Sequence, residues 1–135
     1  MEISEGLDYV RDNSRAVIAT RRTDGSPQMS PVTLAVVDDA VVMSTRQTAY
    51  KVKQLRRDPM CHLCVFPDSW LGRWVQLDCT VEIVDQPEAL DILVDYYRTL
   101  RGEHPDWDEY RQAMVDDQRC IVRFRIDRAG PDRQG

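Results

Sequence analysis

The chain has 135 residues, 42% hydrophobic and 30% charged, with a net charge of −5. That length suits one domain, and the composition is globular rather than disordered. The acidic total repels nucleic acid, no apolar run approaches the ~20 residues of a membrane helix, and Met1-Glu2-Ile3-Ser4-Glu5 lacks the basic and apolar regions of a signal peptide, so a cytoplasmic protein without nucleic-acid or membrane partners is expected.

Ser4 to Asn13 reads as a helix, with Ser4 as N-cap and Ile3, Leu7 and Val10 at helical spacing. Arg15 to Thr23 reads as a strand and Asp24-Gly25 as a tight hairpin turn. Gln28 to Val37 is the second strand; Pro27 and Pro31 put it at a sheet edge or bulge it near Pro31. Asp38-Asp39 turns the chain into a third strand, Ala40 to Thr45. The period then changes. Ala49, Val52 and Leu55 recur every third residue as far as Arg57, an amphipathic helix stopped by Pro59.

Met60 to Phe66 is a fourth strand, Pro67 to Gly72 a loop, and Arg73 to Val84 a long fifth strand. Pro87 to Arg101 is the longest helix, with Leu90, Leu93, Val94 and Tyr97 on one face. Gly102-Glu103-His104-Pro105 breaks it, and Trp107, Tyr110 and Met114 suggest a further short helix. Arg119 to Ile126 is a sixth strand, and residues 127–135 read as a frayed polar tail. Three strands joined by tight turns run antiparallel as neighbours. Six or so antiparallel strands flanked by helices, in one domain of residues 1–135, give a mainly β fold and a small barrel.

Cys61-His62-Leu63-Cys64 has CxxC spacing, but on a strand residues three apart point to opposite faces, so these are read as structural cysteines and no metal site is expected. His62 and His104, the only histidines, accompany no nucleophile motif, and no catalytic residue is identified. Glu103, Asp106, Asp108 and Glu109 around Trp107 read as a solvated helix start.

The sharpest feature is basic. The chain has 18 basic residues, of which only Lys51 and Lys53 are lysines, and from Arg46 to Arg57 there are five basic residues and no acidic one. Lysine is a compact point charge where arginine is a planar fork, and phosphate suits a point charge. Ser44 and Thr45 end a strand, Thr48 is placed to cap the helix, and Lys51 lies in its first turn. Hydroxyls, helix N-terminus and lysine together would cradle an anion. Lys53 is turned away by about 200° at ~100° per residue and reads as solvated.

The order of these pieces resembles the pyridoxamine 5′-phosphate oxidase-like split-barrel superfamily, and more closely its flavin/deazaflavin oxidoreductases that use coenzyme F-420. The resemblance rests on Asp24-Gly25-Ser26-Pro27-Gln28-Met29-Ser30-Pro31-Val32, on Lys51 with Leu55-Arg56-Arg57-Asp58-Pro59, and on Tyr97-Arg98, Gly102-Glu103-His104 and Trp107 to Met114. It implies an FMN-binding-like split β-barrel acting as a homodimer, with F-420 at the subunit interface and hydride passed to a small-molecule substrate. It further implies that Gln28, Ser30, Pro31 and Val32 line the ring, that Ser44, Thr45 and Lys51 hold the phosphate-bearing tail, and that Trp74 and Gln76 face the cofactor, of their own subunit or of the partner.

FMN is the second cofactor candidate. FMN oxidases of the superfamily carry an arginine and a lysine on the strand after the first hairpin, whereas no basic residue occurs here from Gly25 through Thr45. The C-terminal arginine/histidine motif of the vitamin B6 oxidases is also missing. A basic residue often found two before the lysine is Ala49 here, with Arg46 as a substitute. An FMN-dependent reductase and a non-enzymatic carrier of a flavin or tetrapyrrole are the alternatives on the same fold.

Overall fold

The computed structural model describes residues 1–135. In chain order its elements are α1 (Ile3–Asp12), β1 (Arg15–Arg21), β2 (Pro27–Thr33), β3 (Ala35–Val37), β4 (Ala40–Arg46), α2 (Tyr50–Arg57), β5 (Met60–Phe66), β6 (Arg73–Val84), α3 (Ala89–Arg101), α4 (Trp107–Asp116) and β7 (Arg119–Gln134). All strands join one antiparallel sheet in the order β2-β1-β5-β6-β7-β4-β3. The sheet curls until β2, at one edge, approaches β4 without pairing to it. The result is a mainly β split barrel flanked by helices: the residue pattern predicts the small antiparallel barrel, and the resemblance implies its split form.

Alternation builds its wall. On β5, Cys61, Leu63 and Val65 are buried while Met60, His62 and Cys64 are exposed. The barrel interior is filled by Ile18, Met43, Leu63, Leu77, Phe124 and their neighbours, and α2 plugs it with Leu55. A second core forms where Val42 and Ile121 meet Leu93 and Val94 of α3 and Tyr110 of α4. Each such side chain contributes roughly 1.5–3 kcal/mol on leaving water.

Several boundaries differ from expectation for identifiable reasons. The second predicted strand, 28–37, is two strands at opposite ends of the sheet. Leu34 is fully buried, and its amide donates to the Ser14 carbonyl (2.7 Å) instead of to a ladder, so the chain changes sheet partner there. The tally is therefore seven strands, not six. β2 is an edge strand, as its prolines demand, and its register with β1 runs without a bulge at Pro31. The cap of α1 is Glu2, not Ser4; Glu2 and Glu5 form a reciprocal capping box. The cap of α2 is Ala49, with no side-chain bond, so Thr48 does not cap it.

The tail is ordered. β7 runs on to Gln134, pairing with β6 from Val84↔Ile121 to Arg73↔Gln134. Polar composition misleads here because this stretch is an outer barrel strand: its backbone bonds to β6, and Asp132 accepts two bonds from Arg73, at 2.8 and 3.0 Å.

Candidate functional site

The seam between β2 and β4 is where the sequence-predicted residues meet. Pairing with β1 fixes which side chains of β2 share a face. Gln28, Ser30 and Val32 lie opposite Thr20, Ile18 and Ala16, which are buried, so these three line the inner side. Pro31 and Met29 alternate to the outer side, so the predicted set Gln28 to Val32 is divided between two faces.

α2 closes the inner side. Its Gln54 is buried between two strands, accepting from the Thr20 hydroxyl and donating to Gln28 Oε1 at 2.6 Å. One turn earlier the Lys51 ammonium reaches Ser30 Oγ at 3.4 Å. It has no carboxylate partner, although the chain carries 23 acidic residues. Burial first, and then the Arg119 guanidinium, hold its pKa below the ordinary lysine value of 10.5. A half-buried ammonium facing a second cation and a hydroxyl is an electrostatic deficit that an anion would fill.

Arg119 is the functional neighbour that sequence reading missed. It stands opposite Arg46 in the β4–β7 register, and one carboxylate, Asp117, serves both: Arg46 Nε at 2.9 Å and Arg119 Nε at 2.7 Å. Those two bonds hold the Asp117 carboxyl below the usual range. Arg46 and Arg119 thus share one negative charge, and Lys51 has none. Only cross-strand register brings Arg119 here, which is why the linear sequence gives no signal of it.

The other predicted residues are spread around this point. Thr45 is buried in the barrel opposite Cys120, and Ser44 alternates to the side of α3. Tyr96 of α3 spans the seam: its hydroxyl donates to the Thr33 carbonyl at 2.8 Å, and burial raises its pKa against the opposing pull of a Ser44 backbone bond. Arg46 is committed to Asp117. Trp74 and Gln76 are on the outer face of β6, since Val75 and Leu77, which alternate with them, point into the barrel. Within one chain they do not meet the Lys51 group.

Lys53 is apart from Lys51, as helical phase requires. Its ammonium sits 5.5 Å from the centroid of the exposed Tyr50 ring. Leu55-Arg56-Arg57-Asp58 secures the helix instead of forming the site: Arg56 bonds Asp85 (2.6 Å), Arg57 donates to the Arg21 carbonyl, and Asp58 bonds Arg21 (2.8 Å).

Two further groups are resolved by the fold. Cys61 and Cys64 face opposite ways, Cys61 being buried directly across from Cys79. On the outer face His62 Nδ1 lies 2.6 Å from Asp78 Oδ1, and Gln76 Nε2 donates to the same oxygen at 3.1 Å. Around α4, Glu103 accepts from Arg98 Nε (2.7 Å) and Trp107 Nε1 (3.0 Å), and Asp106 caps α4 by accepting from the Glu109 amide at 3.1 Å. That acidic cluster braces the α3–α4 connection. No helix is long and apolar enough to cross a membrane.

The pyridoxamine 5′-phosphate oxidase family profile matches residues 4–130. The chain belongs to that family. Among solved structures it is similar to the conserved hypothetical protein Rv2991 of Mycobacterium tuberculosis, with 26% identity, 96% of this chain and 82% of that chain covered, and a TM-score of 0.77. It is also similar to a protein described as an F420 reductase (17% identity, 91% and 94% covered, TM-score 0.71). A third is HutZ of Vibrio cholerae, described as a heme storage protein (12% identity, 98% and 95% covered, TM-score 0.72). The last two share the fold.

Proposed function

We propose that this chain is a homodimeric oxidoreductase that transfers hydride from reduced F-420 to a small organic acceptor. The observation that carries the reading is Lys51: a half-buried ammonium on the seam, 3.4 Å from Ser30 Oγ, with Arg119 beside it and no carboxylate partner. These residues fit the phosphate of a deazaflavin tail. A phosphodiester bears one negative charge where the phosphate of FMN bears up to two, and the inner face of β2 supplies only Gln28, Ser30 and Val32 besides this lysine. The F420 reductase among the structural relatives is in keeping with the assignment.

When bound, the cofactor supplies the hydride chemistry. The chain supplies position. Lys51 and Ser30 would fix the phosphate, with Gln28, locked to Gln54 at 2.6 Å, on one side of it and Val32 on the other, where it would line the ring. Holding donor and acceptor in contact contributes several kcal/mol to such a transfer.

Homodimerisation is supported by the outer face. Met29 is 66% exposed, Trp70 70% and Leu71 68%, large apolar side chains that a subunit interface would cover. Trp74 and Gln76 lie on that face, so they serve the site of a second copy instead of their own.

Titration with F-420, followed by tryptophan fluorescence, tests the cofactor. Saturation by F-420 supports the reading; saturation by FMN with no response to F-420 overturns it. Turnover of an added acceptor by the reduced complex separates an enzyme from a carrier.

A further inference from the structure

We infer that the cleft between the end of β2 and the last turn of α3 takes the acceptor, and that the acceptor is a flat apolar molecule bearing a carboxylate held by Arg101. This rests on the hydride-transfer reading and goes on to name its substrate class. The cleft has a volume of about 750 Å³ and is lined by Val32, Phe66, Trp70, Tyr96, Leu100 and Arg101, among others.

Three observations support it. The first is continuity. Ser30 and Val32 share the inner face of β2, and two residues of strand span roughly 7 Å. Val32 also lines the cleft, so the cleft adjoins the site built around Lys51 and Ser30. The second is the walls. Phe66 and Trp70 pack edge to face at 5.4 Å, and Trp70 stands at φ 75°, a backbone setting that a bulky residue rarely adopts. Tyr96 is pinned on the other side by its 2.8 Å bond to Thr33. These are aromatic surfaces suited to a planar guest.

The third is charge. Most arginines of the chain are ion-paired, and the other arginine of the cleft, Arg15, is held by Asp68 at 2.9 Å. Arg101 has neither an ion pair nor a hydrogen bond, so the cleft has one free guanidinium, the group best shaped to hold a carboxylate through two parallel bonds. As the last residue of α3, Arg101 also complements the helix dipole, so its test must read ligand choice and not stability.

The probes are 2-naphthoate and 2-naphthamide, titrated calorimetrically into the intact chain without cofactor. The naphthoate should bind at least tenfold more tightly. Arg101→Gln should erase that preference while leaving the naphthamide unchanged, and Arg101→Lys should restore part of it. Equal binding of the two probes by the native chain, or a preference that survives Arg101→Gln, overturns the assignment. If the preference behaves as expected but F-420 does not bind, the cofactor reading falls and the carboxylate cleft stands.

Discussion

Lys51 and Lys53 differ by two positions and by nearly everything else. Lys53 rests near an exposed ring, whereas Lys51 is driven toward neutrality by burial and Arg119. A lysine with a lowered folded pKa binds its proton less tightly folded than unfolded. Stability from this group therefore rises with pH through the window ending at 10.5, and at neutral pH the charged form is a net cost. Lys51→Met should accordingly raise Tm at neutral pH, the gain of a surplus charge removed, while weakening cofactor binding. A calorimetric scan checks this; a drop in Tm contradicts it. That the lysines separate is legible in the sequence, because helical phase alone divides them. That Arg119 completes the group is not, because it depends on which residues of β4 and β7 stand opposite each other.

Among the elements, α2 carries both the site and its anchor, Lys51 and Leu55 standing one turn apart. Leu55 is 1% exposed in the barrel core, so Leu55→Ala should cost about 2–4 kcal/mol in urea denaturation, through lost burial and the cavity left behind. Because Gln54 and Lys51 ride on the same helix, cofactor affinity should fall with it. The α3–α4 connection is held differently, by Glu103 between Arg98 and Trp107. The Trp107 and Arg98 bonds hold the Glu103 carboxyl below its ordinary 4.5, so its contribution is present above that value and is lost as pH falls through the lowered one. Glu103→Gln should therefore remove part of the acid sensitivity of melting below pH 4.5, read by Trp107 fluorescence. Element types and most boundaries of this chain follow from periodicity: β5 and β6 match their predicted spans residue for residue. The break at Leu34 could not be read that way, because a buried leucine between two apolar stretches looks like one continuous strand.

The molecule as a whole is organised by a sheet order that chain order conceals. β2 and β3, consecutive in sequence, lie at opposite ends, and the seam between β2 and β4 exists because the curl stops short of a closed ladder. β7 is the strand that holds this together, pairing with β4 by its first half and with β6 along most of its length. Deleting residues 128–135 should strip the partner from Arg73–Asp78 and lower Tm by several degrees; an unchanged Tm would show that the tail is dispensable. Sedimentation should find a dimer, and charging the outer face with Met29→Glu should favour the monomer.

The decisive measurement is a paired F-420 titration of the native chain, Lys51→Ala and Lys53→Ala under one condition. Loss of one charged hydrogen bond is worth ~1.5–3 kcal/mol, so Lys51→Ala should weaken binding by about 10- to 100-fold, with Lys53→Ala within about twofold of native. Equal losses at the two lysines, or saturation by FMN alone, would contradict the seam as a deazaflavin phosphate site.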